Sequence, residues 1–298
     1  MRILFNNVDF NSRSGPNGFG LKLANCLSKV GHQIVDKDPD AVLNFIQGNL
    51  SGFRNVLRLD GIYFNTDQDW EKQNSPIKLS YDLADSVIVQ SEFNRKLVQE
   101  YFGNKREINV INNGTSLDVI ELIPSAKLQL PKEKNWLCAS SWRPHKRLLD
   151  NVRYFQQYAD SSSNMYVAGN GDVSVLRDLK DDRIKYVGDL SWYQLISLMK
   201  SCSNFVHLAY LDHCPNVVVD ARASGCRIHC SSSGGTKEVA GKNSIMVLED
   251  DWDFKPTKLY SPPSLDFNST KIVEFETDIN MISVSKKYIQ VLEGYNES

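Results

Sequence analysis

Short apolar runs separated by stretches with helical spacing recur along the whole chain. Arg2 to Asn6 opens as a strand, and Leu21, Leu23, Ala24, Leu27 and Val30 then fall on one face of a helix. Further strand-like runs lie at 41–46, 55–59, 86–90 and 108–111, and Ser91 stands as an N-cap before Phe93, Leu97, Val98 and Phe102. A second series starts at 136–139. It continues with Leu148, Leu149, Val152 and Phe155 on a helix, runs at 165–168 and 184–188, a helix carrying Trp192, Leu195, Ile196 and Met199, and a run at 203–208. After one more run at 244–248 the chain is polar and proline-bearing from 249 to 268. It ends in an amphipathic helix with Met281, Val284, Tyr288, Ile289 and Leu292. Strands that alternate with helices predict parallel sheets covered on both faces.

Two such series need two domains, and 298 residues are enough for both. Val110-Ile111-Asn112-Asn113-Gly114 closes the first series, where Asn and Gly tolerate left-handed backbone at a chain reversal. The aperiodic stretch 116–134, with Pro124 and Pro131, reads as the connection. The expected division is 1–120, 121–280, and a terminal segment 281–298 whose helix returns to the first domain. At 41% hydrophobic and 23% charged residues, each half can bury an ordinary core.

A net charge of −2 gives no global field for nucleic acid or anionic lipid, although local contact with a membrane surface stays open. Six cysteines without a CxxC pair or histidine partners at a spacing suited to zinc read as reduced thiols of a cytoplasmic protein. The chain begins directly with a strand rather than an apolar leader, and no run approaches the ~20 apolar residues that cross a bilayer.

The chemistry gathers at strand ends. Gly15, Gly18 and Gly20 lie in an expected loop, 14–20, after the first strand, either to provide positive φ or to let backbone approach a phosphate. Asp60-Gly61 ends the 55–59 strand, where Asp60 either caps a turn or faces a cleft. Arg143, Lys146 and Arg147 cluster at a helix start, where positive side chains oppose the dipole unless an anion is bound. Asp212 and Asp220 are eight positions apart. With Pro215 in the first turn of a helix, Asp212 precedes it, Asp220 sits a turn inside, and both line one wall of a cleft at the helix N-terminus. His207 reads as a satisfied buried histidine, His213 as a substrate contact, and Trp192 as core.

The block 212–238 resembles the acidic pair of retaining glycosyltransferases with the GT-B fold, in particular family 4. Their pattern is Glu, seven residues, Glu, then Ala-x-Ala-x-Gly and Gly-Gly-x-x-Glu. Here Ala221-Arg222-Ala223-Ser224-Gly225 and Gly234-Gly235-Thr236-Lys237-Glu238 match, while the pair itself is Asp212 and Asp220, each a methylene shorter. Lys146 matches the lysine of the family's Gly-Arg-x-x-x-x-Lys, but Ser141 occupies the arginine position and Arg143 follows two residues later. Gly15 to Gly20 is similar to the family's N-terminal loop, Arg58-Leu59-Asp60-Gly61 to the Arg-x-Asp-Gly of some members, and Val110 to Gly114 to the end of its first domain. Gly169 and Gly171, with Val187 and Gly188, look like the two glycine-bearing strand ends near the nucleotide base.

The resemblance implies an α/β GT-B architecture of two Rossmann-like doubly wound domains facing a central cleft. It implies transfer of a sugar from a nucleotide diphosphate sugar to a glycan, lipid or other hydroxyl acceptor, with retention. Lys146, Arg143 and the amides near Gly235 and Thr236 would hold the diphosphate. Asp220 would hold the ribose, Asp212 with Cys214, Pro215 and Asn216 the sugar, and Asp60 the acceptor. Glu238 completes the set. No resident cofactor or metal is implied, and the triplets Asp36-Lys37-Asp38 and Asp251-Trp252-Asp253 read as loop charges. The alternatives are a nucleotide-sugar 2-epimerase on the same fold and a nucleotide-sugar-binding protein that has lost catalysis.

Overall fold

The computed structural model describes residues 1–12, 14–105 and 107–294. The first sheet is built from β1 (Arg2–Asn6), α1 (Gly15–Lys29), β2 (Gln33–Ile34), β3 (Ala41–Phe45), β4 (Arg54–Leu59), α2 (Trp70–Leu83), β5 (Ser86–Val89), α3 (Glu92–Phe102) and β6 (Ile108–Val110). Its order is β2-β1-β3-β4-β5-β6 and every pairing is parallel. Strands β3 and β4 are buried along nearly their whole length, their polar Asn44, Asn55 and Arg58 included.

After α4 (Leu117–Leu122) comes the second sheet. Its elements are β7 (Asn135–Ala139), α5 (Leu148–Tyr158), β8 (Asn164–Ala168), β9 (Ile184–Gly188), α6 (Trp192–Met199), β10 (Asn204–His207), α7 (Asn216–Ala223), β11 (Arg227–Ser231), α8 (Thr236–Ala240), β12 (Ile245–Val247) and β13 (Thr270–Ile272). The order is β13-β12-β11-β10-β7-β8-β9, parallel except for the edge pair β12–β13. The strand order reverses between β1 and β3 in one sheet and between β7 and β10 in the other. Open sheets of this kind bind ligands outside the carboxyl ends of the strands at such a reversal.

Three local expectations are corrected. Residues 15–20 are not a loop: α1 begins at Gly15 with Pro16 in its first turn, where the missing N–H costs nothing. Pro215 is the N-cap of α7 rather than a residue of its first turn. Neither Asn112, Asn113 nor Gly114 has positive φ. The glycine is needed for space instead, because a Cβ at 114 would come 2.8 Å from Val284 and 3.0 Å from the Ile279 carbonyl.

The chain crosses between lobes twice at one place, and the crossings hydrogen-bond to each other through Thr115 N to Ile279 O (2.8 Å) and Met281 N to Thr115 O (3.0 Å). The helix containing the expected division at 120/121, α4, contributes Ile120 to the second core. Helix α9 (Met281–Glu293) returns to the first lobe, where Met281, Val284, Tyr288 and Leu292 join Ile3, Phe19 and Leu23 in one core. Inside that core Arg58 is fully buried. Its Nε donates to the Tyr288 hydroxyl at 2.9 Å, its Nη2 donates to the Asn113 side chain at 2.9 Å, and its guanidinium lies 4.0 Å from the Phe19 ring centroid.

Tyr288→Phe leaves one donor of a buried charge without an acceptor. Urea unfolding is expected to show a loss of roughly 1.5–3 kcal/mol, the range for hydrogen bonds to charged groups, with the m-value unchanged.

Candidate active site

The loops at the strand-order reversal of the second sheet bring three side chains together. Lys146 closes a short 3-10 turn, Pro144–Lys146, that follows β7. Asp212 lies in the loop after β10, the strand that ends in His207. The Lys146 ammonium donates to Asp212 Oδ2 at 2.5 Å, and His207 Nε2 lies 2.9 Å from the same oxygen. Burial alone would raise the Asp212 carboxyl, yet the Lys146 charge and the His207 hydrogen bond hold it well below the usual carboxylate range. Burial lowers His207 in turn, so it meets Asp212 as a neutral N–H donor.

Glycine packing fixes the Asp212 loop. Gly234, at φ 72°, would place a Cβ 2.4 Å from the Asp212 carbonyl, and a Cβ on Gly235 would sit 2.0 Å from the His213 carbonyl. The Gly235 N–H donates to the Asp212 carbonyl at 2.7 Å, so this amide is already committed inside the protein and does not point at a ligand. Thr236, which begins α8, is fully buried and its hydroxyl has no partner among the described residues.

Asp220 faces other groups. It is buried on α7, where Lys22 of α1 donates to both its oxygens at 2.7 and 2.9 Å and the Trp192 indole donates to Oδ2 at 2.9 Å. The two acidic residues therefore have separate sets of partners. Asp212 is paired within its own lobe, and Asp220 is paired across the cleft. Asn216 adds a second cross-cleft bond, from its side-chain amide to the Gly15 carbonyl at 2.9 Å. Gly18 has open space around its Cβ position.

The first lobe contributes Asp60, held by the Arg58 guanidinium. Burial raises the Asp60 carboxyl above the usual carboxylate range, against the pull of the arginine charge. Next to it Gly61 abuts the His213 ring, which also lies between Phe64 and Phe93 at 6.1 and 5.8 Å. Asn113 joins both lobes, because it accepts from Arg58 and donates to the Cys214 carbonyl at 3.0 Å. Glu238 reaches across to the start of α3 and accepts from the amides of Glu92 (2.7 Å) and Phe93 (3.0 Å). It is an interlobe helix cap in this structure.

The basic cluster after β7 divides into three roles. Arg147 turns inward, where it pairs with Glu249 at 2.7 Å and donates to the Pro263 carbonyl. Lys146 is held by Asp212. Arg143 is exposed, with no carboxylate in ion-pair range among the described residues. Gly169 and Gly171 follow β8 and pack on Ser140 and Trp142, and Tyr186 of β9 donates to the Gly169 carbonyl beside exposed Val187 and half-buried Gly188. All these loops lie at carboxyl ends of the second sheet.

Four participants were not legible as such in the sequence: Lys22, Arg58, Trp192 and His207. Trp192 is half-buried and packs on the core as expected, but its N–H is committed to Asp220. The strand alternation showed His207 as buried without showing its partner. Lys22 sits on the polar side of α1, where nothing in the spacing points across a cleft. Among the described residues no three His, Cys, Asp or Glu side chains converge as a metal site, and no helix is long and apolar enough to cross a membrane.

Two doubly wound domains whose strand ends face each other, closed by a carboxy-terminal helix that returns to the first, make this a GT-B fold. Solved structures share it over the whole chain. Sucrose-phosphate synthase from Thermosynechococcus elongatus aligns with TM-score 0.70 at 13% identity, covering 98% of each chain. Anabaena HepE, solved in complex with UDP-glucose, aligns with TM-score 0.69 at 13% identity over 99% of this chain and 100% of that one. WaaG, a glycosyltransferase involved in lipopolysaccharide biosynthesis, gives TM-score 0.62 at 10% identity over 99% and 100%. No protein-family model matches the sequence, and no curated protein matches it by sequence.

Burial keeps four histidines neutral: His145 and His229 are pushed down to about 3, His213 to about 4, and His207 is lowered as well. The unfolded chain protonates all four near pH 6.5. Their stabilisation is thus complete above that pH and is lost as pH falls through 6.5 towards 4, by up to about 1.4 kcal/mol per pH unit for each histidine. Urea midpoints measured from pH 7.5 to 4.5 are expected to fall steadily; a flat profile would show that these side chains are accessible.

Proposed function

We propose that this chain is a metal-independent, retaining glycosyltransferase of the family 4 type, moving a sugar from a nucleotide diphosphate sugar to a hydroxyl acceptor. The observation that carries the reading is the Lys146–Asp212–His207 cluster at the strand-order reversal of the second sheet in a GT-B fold. That HepE was solved with UDP-glucose and with UDP supports a uridine donor.

The bond between the anomeric carbon and the diphosphate oxygen breaks with its electron pair going to that oxygen. Charge grows there, and a preorganised cation in a partly desolvated site stabilises it most. Lys146 is that cation, with exposed Arg143 beside it in place of the family's usual arginine. Asp212 stays ionised, steadied by His207, and accepts from the sugar hydroxyls, to whose oxygens the backbone N–H groups of Cys214 and Asn216 donate. Asp220 takes the ribose hydroxyls, exchanging Lys22 for them, while Lys22 is left close to the phosphates. The glycine-bearing strand ends at Gly169, Gly171, Val187 and Gly188 line the base.

The acceptor oxygen attacks from the face that the diphosphate leaves, and its proton passes to the departing phosphate oxygen. Asp60, fixed by Arg58, orients the acceptor across the cleft. No resident cofactor enters this scheme, since the leaving charge is met by Lys146. A second reading, a binding protein without catalysis, is favoured by the pairing of both Lys22 and Lys146 with carboxylates. It predicts UDP binding with neither transfer nor donor hydrolysis, and an epimerase would release a changed sugar nucleotide without an acceptor.

Lys146→Ala is expected to lower kcat for transfer, or for donor hydrolysis, by about 10²–10³, the usual loss on removing one charge-stabilising donor. The raised melting temperature that UDP gives the parent protein should shrink with it. Asp60→Asn is expected to lower transfer at least tenfold while sparing donor hydrolysis. Full transfer by that variant would remove Asp60 from the mechanism.

A further inference from the structure

A cavity of about 680 Å³ opens beside the Asp212 loop, sharing Leu211 and Gly234 with it. Its volume lies within the ~300–1,000 Å³ of small-molecule sites. One wall is the start of α3. An adjoining wall is the loop between β12 and β13, which carries Asp250, Asp251, Trp252 and Phe254. That loop is tied to the first lobe, with Thr66 N donating to Thr257 O (3.0 Å) and Thr257 N to Phe64 O (3.0 Å). The wall is therefore fixed in place by both lobes.

The lining has two chemical faces. Phe93, Trp252 and Phe254 form a continuous aromatic surface, with ring centroids 5.1 to 6.0 Å apart, and Phe275 stands half-exposed at its edge. Phe254 adopts φ 62°, a conformation that a bulky side chain rarely takes and that persists only where the surroundings fix it. The same lining carries carboxylates and neutral polar groups. Asp250 and Asp251 are exposed and have no ion-pair partner among the described residues, while Ser232, Ser233 and Asn112 offer hydroxyls and an amide.

The charge argues against an anionic ligand. Four carboxylates, Glu92, Glu238, Asp250 and Asp251, line the cavity against two lysines, Lys96 and Lys237. The amides of the first turn of α3, which would otherwise attract a phosphate, are already taken by Glu238 and by the Ser91 hydroxyl. Aromatic faces pack against the C–H faces of sugar rings, and carboxylates accept from their hydroxyls. We infer that this cavity binds a short neutral saccharide. A phosphorylated sugar or a lipid phosphate does not suit it.

The test uses the full chain titrated with maltotriose, cellotriose and chitotriose, followed by tryptophan fluorescence and by saturation-transfer NMR, with glucose 6-phosphate as the anionic comparator. At least one neutral trisaccharide is expected to bind and the phosphate sugar to bind at least tenfold more weakly. Trp252→Phe should abolish the fluorescence response while the NMR signal remains. Phe254→Ala should weaken binding tenfold or more, and the exposed Phe275→Ala, which carries little risk to folding, several-fold. Failure of all three neutral sugars to bind, equal binding of glucose 6-phosphate, or indifference to Phe254→Ala and Phe275→Ala would overturn the assignment. UDP is followed separately by thermal shift. Saccharide binding without a UDP response would leave the cavity standing and remove the transferase reading, and a UDP response without saccharide binding would do the reverse.

Discussion

The ion pair between Lys146 and Asp212 is the constraint on which the site depends. Both side chains are mostly shielded from water, and a buried pair of this kind is costly to break, by about 3–5 kcal/mol when one partner is removed. It persists here because the geometry is good and because His207 satisfies the same carboxylate from behind. The pair fixes the loop after β7 against the loop after β10, at the point where the strand order reverses. Both loops must be held there for either residue to meet a ligand.

The second constraint is that the lobes are joined by charge and amide contacts as well as by apolar packing. Lys22 reaches Asp220, Glu238 caps α3, Asn216 reaches Gly15, and Asn113 links Arg58 to Cys214. Contacts of this type can be exchanged for a ligand's hydroxyls and phosphates at small net cost, because each group keeps a polar partner throughout. Apolar packing also joins the lobes: Tyr210 and Leu211 of the second share one buried cluster with Leu57, Phe64 and Phe93 of the first, and Trp252 and Phe254 pack against it.

The sequence reveals the sheets because their strands are short, apolar and bounded by turn residues. Lys146 and Asp212 draw notice through the motif resemblance, and the structure brings the two into one ion pair. The glycines misled: Gly15, Gly18 and Gly20 look like a loop, yet Pro16 and the following Leu21 and Leu23 continue one helix. The hinge glycine serves space rather than a left-handed turn. Arg58 stands in the Arg-x-Asp-Gly match, but its buried role is not legible because a strand residue two positions before an aspartate gives no hint of Tyr288 and Asn113, which come from elsewhere in the chain. Lys22 and Asp220 are 198 positions apart, and no periodicity links residues at that distance.

The most direct measurement is a crystal structure of the chain with UDP bound. The account requires a diphosphate oxygen within hydrogen-bond distance of the Lys146 ammonium, the ribose against Asp220 with Lys22 displaced, and Asp212 still beside His207. UDP located away from Lys146, or bound with the Lys22–Asp220 pair intact and the ribose elsewhere, would contradict it.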